Sequence, residues 1–152
     1  MVFTKKQIAE ISGLSPRLIQ FYTEESLIKP EKNSGEGRGN VRLFSEKSLF
    51  DFLIIAELGN YGIKKFRIAK FLKYAQNESV VISYYAGRLF EKDIRLFGFI
   101  LNIANTKKLV ATCKMIAGGG QKMDILTFDE MEKFSSLLVV DIGALIKKAL
   151  TS

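Results

Sequence analysis

The 152-residue chain contains no histidine and no tryptophan, one cysteine and two prolines. With Cys113 alone no internal disulfide can close, and without histidine the nitrogen and sulfur sets that hold zinc or copper cannot be assembled. No metal and no cofactor is expected. The same lack leaves the serines, and Cys113 on its apolar segment, without the usual neighbouring base, so an enzyme is not expected. Long apolar runs are missing too. The greasiest, Leu96 to Leu101, falls far short of the ~18 residues a membrane span requires, and "MVFTKKQIAE" lacks the apolar core of a signal peptide. The expectation is a soluble protein of the reducing cytoplasm, with no membrane partner.

Acidic side chains are also in short supply: 16 against 23 lysines and arginines, a net charge of +7. Such an excess favours a polyanionic partner, nucleic acid first. Residues 1–75 hold 13 basic and 8 acidic side chains, residues 76–152 hold 10 and 8. The anion-facing part is therefore expected in the first half. The length suits one compact domain or two small ones, at roughly 100 to 200 residues per domain.

What is present is a run of local signals. Thr4 with Gln7 forms a capping box for a helix from about Lys5 to Ser12, and Gly13 ends it. Ser15 followed by Pro16 is a cap-then-proline start for a second helix reaching about Thr23. Ala9, Gly13 and Ile19 occupy the crossing, turn and locking positions of a helix-turn-helix, whose second helix lies in the DNA major groove. An ordinary helical hairpin would use the same three residues. On the second helix Arg17, Gln20 and Phe21 share one side, and Ile19 and Tyr22 another. "KPEKNSGEGRGNVRLF", residues 29 to 44, reads as a hairpin with Arg38 at a glycine-rich tip. Ser45 caps a third helix to about Asn60, and a fourth runs from about Lys64 to Tyr74.

Helix, turn, "SPRLIQFY", "LIKP", the glycine-rich wing ending in "VRLF", and "SEKSLFDFLIIAELGNYGIKKFRIAKFL" together resemble the winged DNA-binding domain of the MerR family of transcription regulators, over residues 3 to 73. The resemblance implies double-stranded DNA as partner and a DNA-binding set of Arg17, Gln20, Phe21, Tyr22, Lys29, Lys32, Arg38, Arg42, Lys64 and Lys65. Arginine can grip guanine or a phosphate, and the Gln20 amide can hold adenine N6 and N7. The wing cations can reach phosphates or a narrow minor groove, and backbone N–H groups opening the fourth helix can hold a phosphate. At Gln20, Phe21, Thr23 and Val41 the family more often carries arginine, tyrosine, an acidic residue and tyrosine, so operator sequence and affinity are open.

In the second half, Ile82, Tyr85, Leu89, Leu96, Ile100, Ile103 and Val110 recur on alternating three- and four-residue steps that skip Asp93 and Lys107, which predicts one long helix between Ser79 and Ala117. A stripe that long needs a second copy to cover it, and the resemblance likewise implies a dimer formed through a long helix, a coiled coil. Gly118 to Gly120, with Gln121 and Lys122, lacks the spacing of a phosphate loop and reads as a linker. A capping box at Thr127 and Glu130 predicts a last helix carrying Met131, Phe134, Leu138, Ile142, Leu145 and Ala149. The expected fold is mainly α: a winged helix-turn-helix domain over residues 1–75, then a helical dimerisation region over residues 76–152. The expected function is a homodimeric, sequence-specific transcriptional regulator on a two-fold operator, with RNA polymerase a further partner and any small-molecule effector unknown. The alternatives are an architectural or partition-type DNA-binding protein of a mobile element, or a protein-protein adaptor.

Overall fold

A computed structural model describes residues 1–33, 41–88, 94–103, 109–117 and 134–151. Two compact units emerge, residues 1–72 with the last residues from Lys148, and residues 73–147. Helix is the commoner regular state among the described residues, so the fold is mainly α, and no described helix is long and apolar enough to cross a membrane.

The first unit opens with a strand, β1 (Val2–Thr4), that leads directly into α1 (Lys5–Ser12). The capping box is in place: Thr4 Oγ1 accepts from the Gln7 backbone N–H at 3.3 Å, and Gln7 Oε1 accepts from the Thr4 backbone N–H at 2.8 Å. Gly13 takes the left-handed conformation at φ 72° and donates to the Ala9 carbonyl at 2.9 Å. A side chain there would be strained, because Cβ disfavours positive φ. Ser15 then caps α2 (Pro16–Glu24) through a 3.3 Å bond from the Leu18 N–H, with Pro16 at the first turn. Three residues thus separate the two helices, as a helix-turn-helix requires.

The wing consists of β2 (Lys32–Asn33) and β3 (Arg42–Ser45), and the sheet order β1-β3-β2 puts the first strand on the far side of β3. Phe3 lies opposite Phe44, and both are buried. Ser45 closes the wing and caps α3 (Glu46–Asn60) through the Ser48 N–H at 3.1 Å. This helix is buried nearly all round, as the central member of a small unit should be. Leu49, Phe52 and Leu58 are fully covered, like Ile8 of α1 and Ile19 of α2, and Phe52 meets Phe44 edge-on at 5.6 Å. After a turn, α4 (Lys65–Asn77) begins.

The second unit departs from the expected long helix. A short helix, α5 (Ser79–Ala86), is followed by β4 (Ile94–Ile103), β5 (Leu109–Ala117) and β6 (Phe134–Asp141), paired antiparallel in the order β5-β4-β6, and then by the start of α6 (Ile142–Thr151). The periodicity misled because "IRLFGFILNI" is apolar at nearly every position, so three-to-four steps fall on apolar residues whatever the backbone does. Its branched and aromatic side chains favour a strand, and Gly98 at its centre disfavours a continuous helix. Leu101 pairs with Val110 and Ile100 with Leu138, a ladder rather than a coiled-coil seam. The expected last helix likewise begins only at Ile142, with Asp141 Oδ1 accepting from the Ala144 N–H at 2.9 Å. Thr127 and Glu130 lie outside the described residues, as do Gly118 to Lys122.

Candidate nucleic-acid interface

The recognition surface is built on α2. Its apolar side, Ile19 at 0% and Tyr22 at 1% exposure, is held against the core, which fixes the roll of the helix. Arg17, Gln20 and Phe21 consequently face outward. Tyr22 does not join them. One position beyond Phe21 the helix has turned about 100°, onto the Ile19 side, so its expected role in contacting DNA is withdrawn. Among the described residues the buried Tyr22 hydroxyl has no hydrogen-bond partner, and burial pushes its pKa above the usual tyrosine value.

Gln20 is already engaged in the free protein. Its Oε1 accepts from Lys5 Nζ at 3.3 Å, and its Nε2 donates to Glu24 Oε1 at 2.7 Å. Both bonds are exposed and individually modest, so exchanging them for an adenine edge costs little. Beside Gln20 lies a groove of about 380 Å³ lined by Thr4, Lys5, Lys6, Val41 and Arg42 as well. Among the described residues three cations and no carboxylate line it, and β1 pairs with β3 to bring the start of α1 beside the wing. Lys5 and Lys6 were missed by the sequence reading. Their signal was there in "TKKQ": two cations in a first helical turn with no acid, where the helix dipole favours the opposite sign.

Phe21, 37% exposed, connects this surface to α4. Its ring meets Tyr22 edge-on at 5.2 Å, and Lys65 Nζ sits 4.9 Å from its centroid on the other helix. The Lys64 carbonyl accepts from the Arg67 and Ile68 N–H groups, so Lys64 stands at the cap of α4 without a capping side chain. Lys64 and Lys65 are exposed and the first turn contains no acid. Such a start is electrostatically unfavourable until an anion arrives. Arg42 on β3 and Lys29 before β2 are exposed; Lys32 lies on β2, where only its backbone is described, and Arg38 falls outside the described residues.

Of the dimerisation set, Ile82 is 49% exposed on α5, Tyr85 is half-buried, and Leu96 at 0% is core, so it presents nothing to a partner. Ile100, Ile103 and Val110 are on strands whose side chains there are not described, and Leu89 is outside the described residues.

The chain matches the family described as MerR HTH family regulatory protein over residues 3–75. No curated protein matches it. The matched span contains both helices of the motif, the wing strands, the basic groove and the opening of α4. Residues 3–75 are thus a DNA-binding domain of the MerR helix-turn-helix family, and the chain is a DNA-binding transcription regulator.

Proposed function

We propose that the protein binds as a homodimer to a two-fold operator, reading bases with Arg17 and Gln20 and holding phosphates with Lys5, Lys6, Arg42, Lys64 and Lys65. The wing residues Lys29, Lys32 and Arg38 add backbone grip, and occupancy alters access by RNA polymerase. One observation carries the reading: the outward face of α2 adjoins a groove whose charged residues, among the described ones, are all basic. Each chain offers one recognition helix, and two are needed for half-sites about 34 Å apart. Self-association is assigned to the second unit, where Ile82 and Val139 are exposed apolar residues and β6 is an edge strand of its sheet. Selecting bound fragments from random duplexes tests this. An enriched palindrome is expected, and recovery of fragments without any common sequence would overturn it.

A further inference from the structure

The Gln20 amide on the outward face of α2 is held from both ends. Lys5 Nζ, on α1, donates to its Oε1 at 3.3 Å, and its Nε2 donates to Glu24 Oε1, one turn further along α2, at 2.7 Å. These neighbours also decide which end is which. An ammonium group only donates and an ionised carboxylate only accepts, so a flipped amide would set NH2 against ammonium and oxygen against carboxylate. Each bond takes half of what its end offers: an amide oxygen has two lone pairs and an NH2 two hydrogens, so one acceptor and one donor remain. Giving up the two bonds is cheap, but contact with a base does not require it. Adenine presents the complement of the remaining pair in the major groove, N6–H2 as donor and N7 as acceptor. Guanine presents two acceptors, cytosine a donor and thymine an acceptor. An amide free to turn serves several of these with its oxygen or its nitrogen alone, whereas a pinned one favours adenine.

We propose that Lys5 and Glu24 are positioning residues, which hold the Gln20 amide in one orientation and thereby restrict it to adenine. The inference rests on the DNA-reading function proposed above. Lys5 has three donors, so one on Gln20 leaves two for phosphate. Glu24 is the sharper probe. It is exposed one turn beyond Gln20 on the same side of α2, where its charge repels phosphate, and it ends the helix, where the dipole disfavours an anion. Its removal should strengthen binding to DNA of any sequence while relaxing the choice of base, two opposite changes that a merely structural role does not produce.

The test uses the full chain in two arms. Without DNA, NMR relaxation of the Gln20 side-chain amide should give an order parameter above about 0.6 in the unaltered protein and below it in Glu24→Ala. With DNA, competition anisotropy compares the selected operator with variants at the base pair whose preference Gln20→Ala abolishes. Glu24→Ala should lower the preference for adenine there about threefold to tenfold, and strengthen binding to unrelated duplex about threefold at low salt. In a Gln20→Ala background the same substitution should leave base preference unchanged, with nothing left to position, and still strengthen binding to unrelated duplex. A Gln20 amide equally mobile with and without Glu24 would overturn the proposal. So would an undiminished preference in Glu24→Ala, a loss that persists in the Gln20→Ala background, a base other than adenine at that position, or no change of preference in Gln20→Ala. A rigid amide in a chain that selects no operator would overturn the function proposed above, and the adenine reading with it.

Discussion

At the scale of single residues, the outward face of α2 and the buried tyrosines make the sharpest predictions. Arg17→Ala and Gln20→Ala should each reduce discrimination between operator and altered bases by about 1 to 3 kcal/mol if they contact base edges. Competition binding against single-base variants measures it, and identical preferences in both mutants would move recognition elsewhere. In the second unit, Gly143 is a packing constraint: an added Cβ would lie 2.8 Å from Tyr84 Oη, 3.1 Å from the Leu96 backbone nitrogen and 3.3 Å from the Arg95 Cα. Backbone cannot swing away as a side-chain end can, so Gly143→Ala should cost about 1 to 3 kcal/mol in urea unfolding. Tyr22 and Tyr84 also set an alkaline limit. Burial raises both pKa values above the usual 10.0, so the folded state keeps its protons longer than the unfolded chain. Their contribution is full below that pH and is lost as pH rises through the folded values. The urea midpoint should therefore fall as pH rises above about 10, and the fall should be smaller in the Tyr22→Phe, Tyr84→Phe double mutant.

At the scale of elements, α4 trades stability for charge. Lys64→Ser supplies the missing cap and should stabilise the protein by about 1 kcal/mol, while weakening DNA binding at low salt through the lost cation. Stabilisation with undiminished affinity would take the start of α4 out of the interface. The same distinction between local and distant interactions explains what the sequence disclosed. Thr4, Gly13, Ser15, Pro16 and Ser45 each act within four residues, so the first three helices and the turn were readable, as was the outward placement of Arg17 and Gln20. Tyr22 was misplaced because its membership in the resemblance outweighed the helical geometry that sets it with Ile19. The strands of the second unit were not readable: β4 pairs with β6 some forty residues later, and no local signal announces such a partner. Lys5 and Lys6 are candidates for the interface because the pairing of β1 with β3 sets them beside the wing, a contact between segments some forty residues apart.

At the scale of the whole molecule, the absence of a long helix between Ser79 and Ala117 changes how a dimer must form. Sedimentation at micromolar concentration should give a dimer, and Ile82→Arg with Val139→Arg should give a folded monomer with weakened operator binding. A double mutant that remains dimeric would place the interface away from α5 and β6. The proposed dimer would double the grip on phosphates, so Arg42→Ala should shallow the log-affinity against log-salt slope by about one per contact in each subunit, measured by fluorescence anisotropy. The pairing of Val2 with Ser45 and Thr4 with Leu43 carries a practical corollary for anyone handling the protein. A purification tag or fluorescent fusion joined directly ahead of Val2 is attached to the strand that braces the wing. Its bulk and drag bear on that hairpin, whereas the same cargo on a generous flexible spacer leaves it undisturbed.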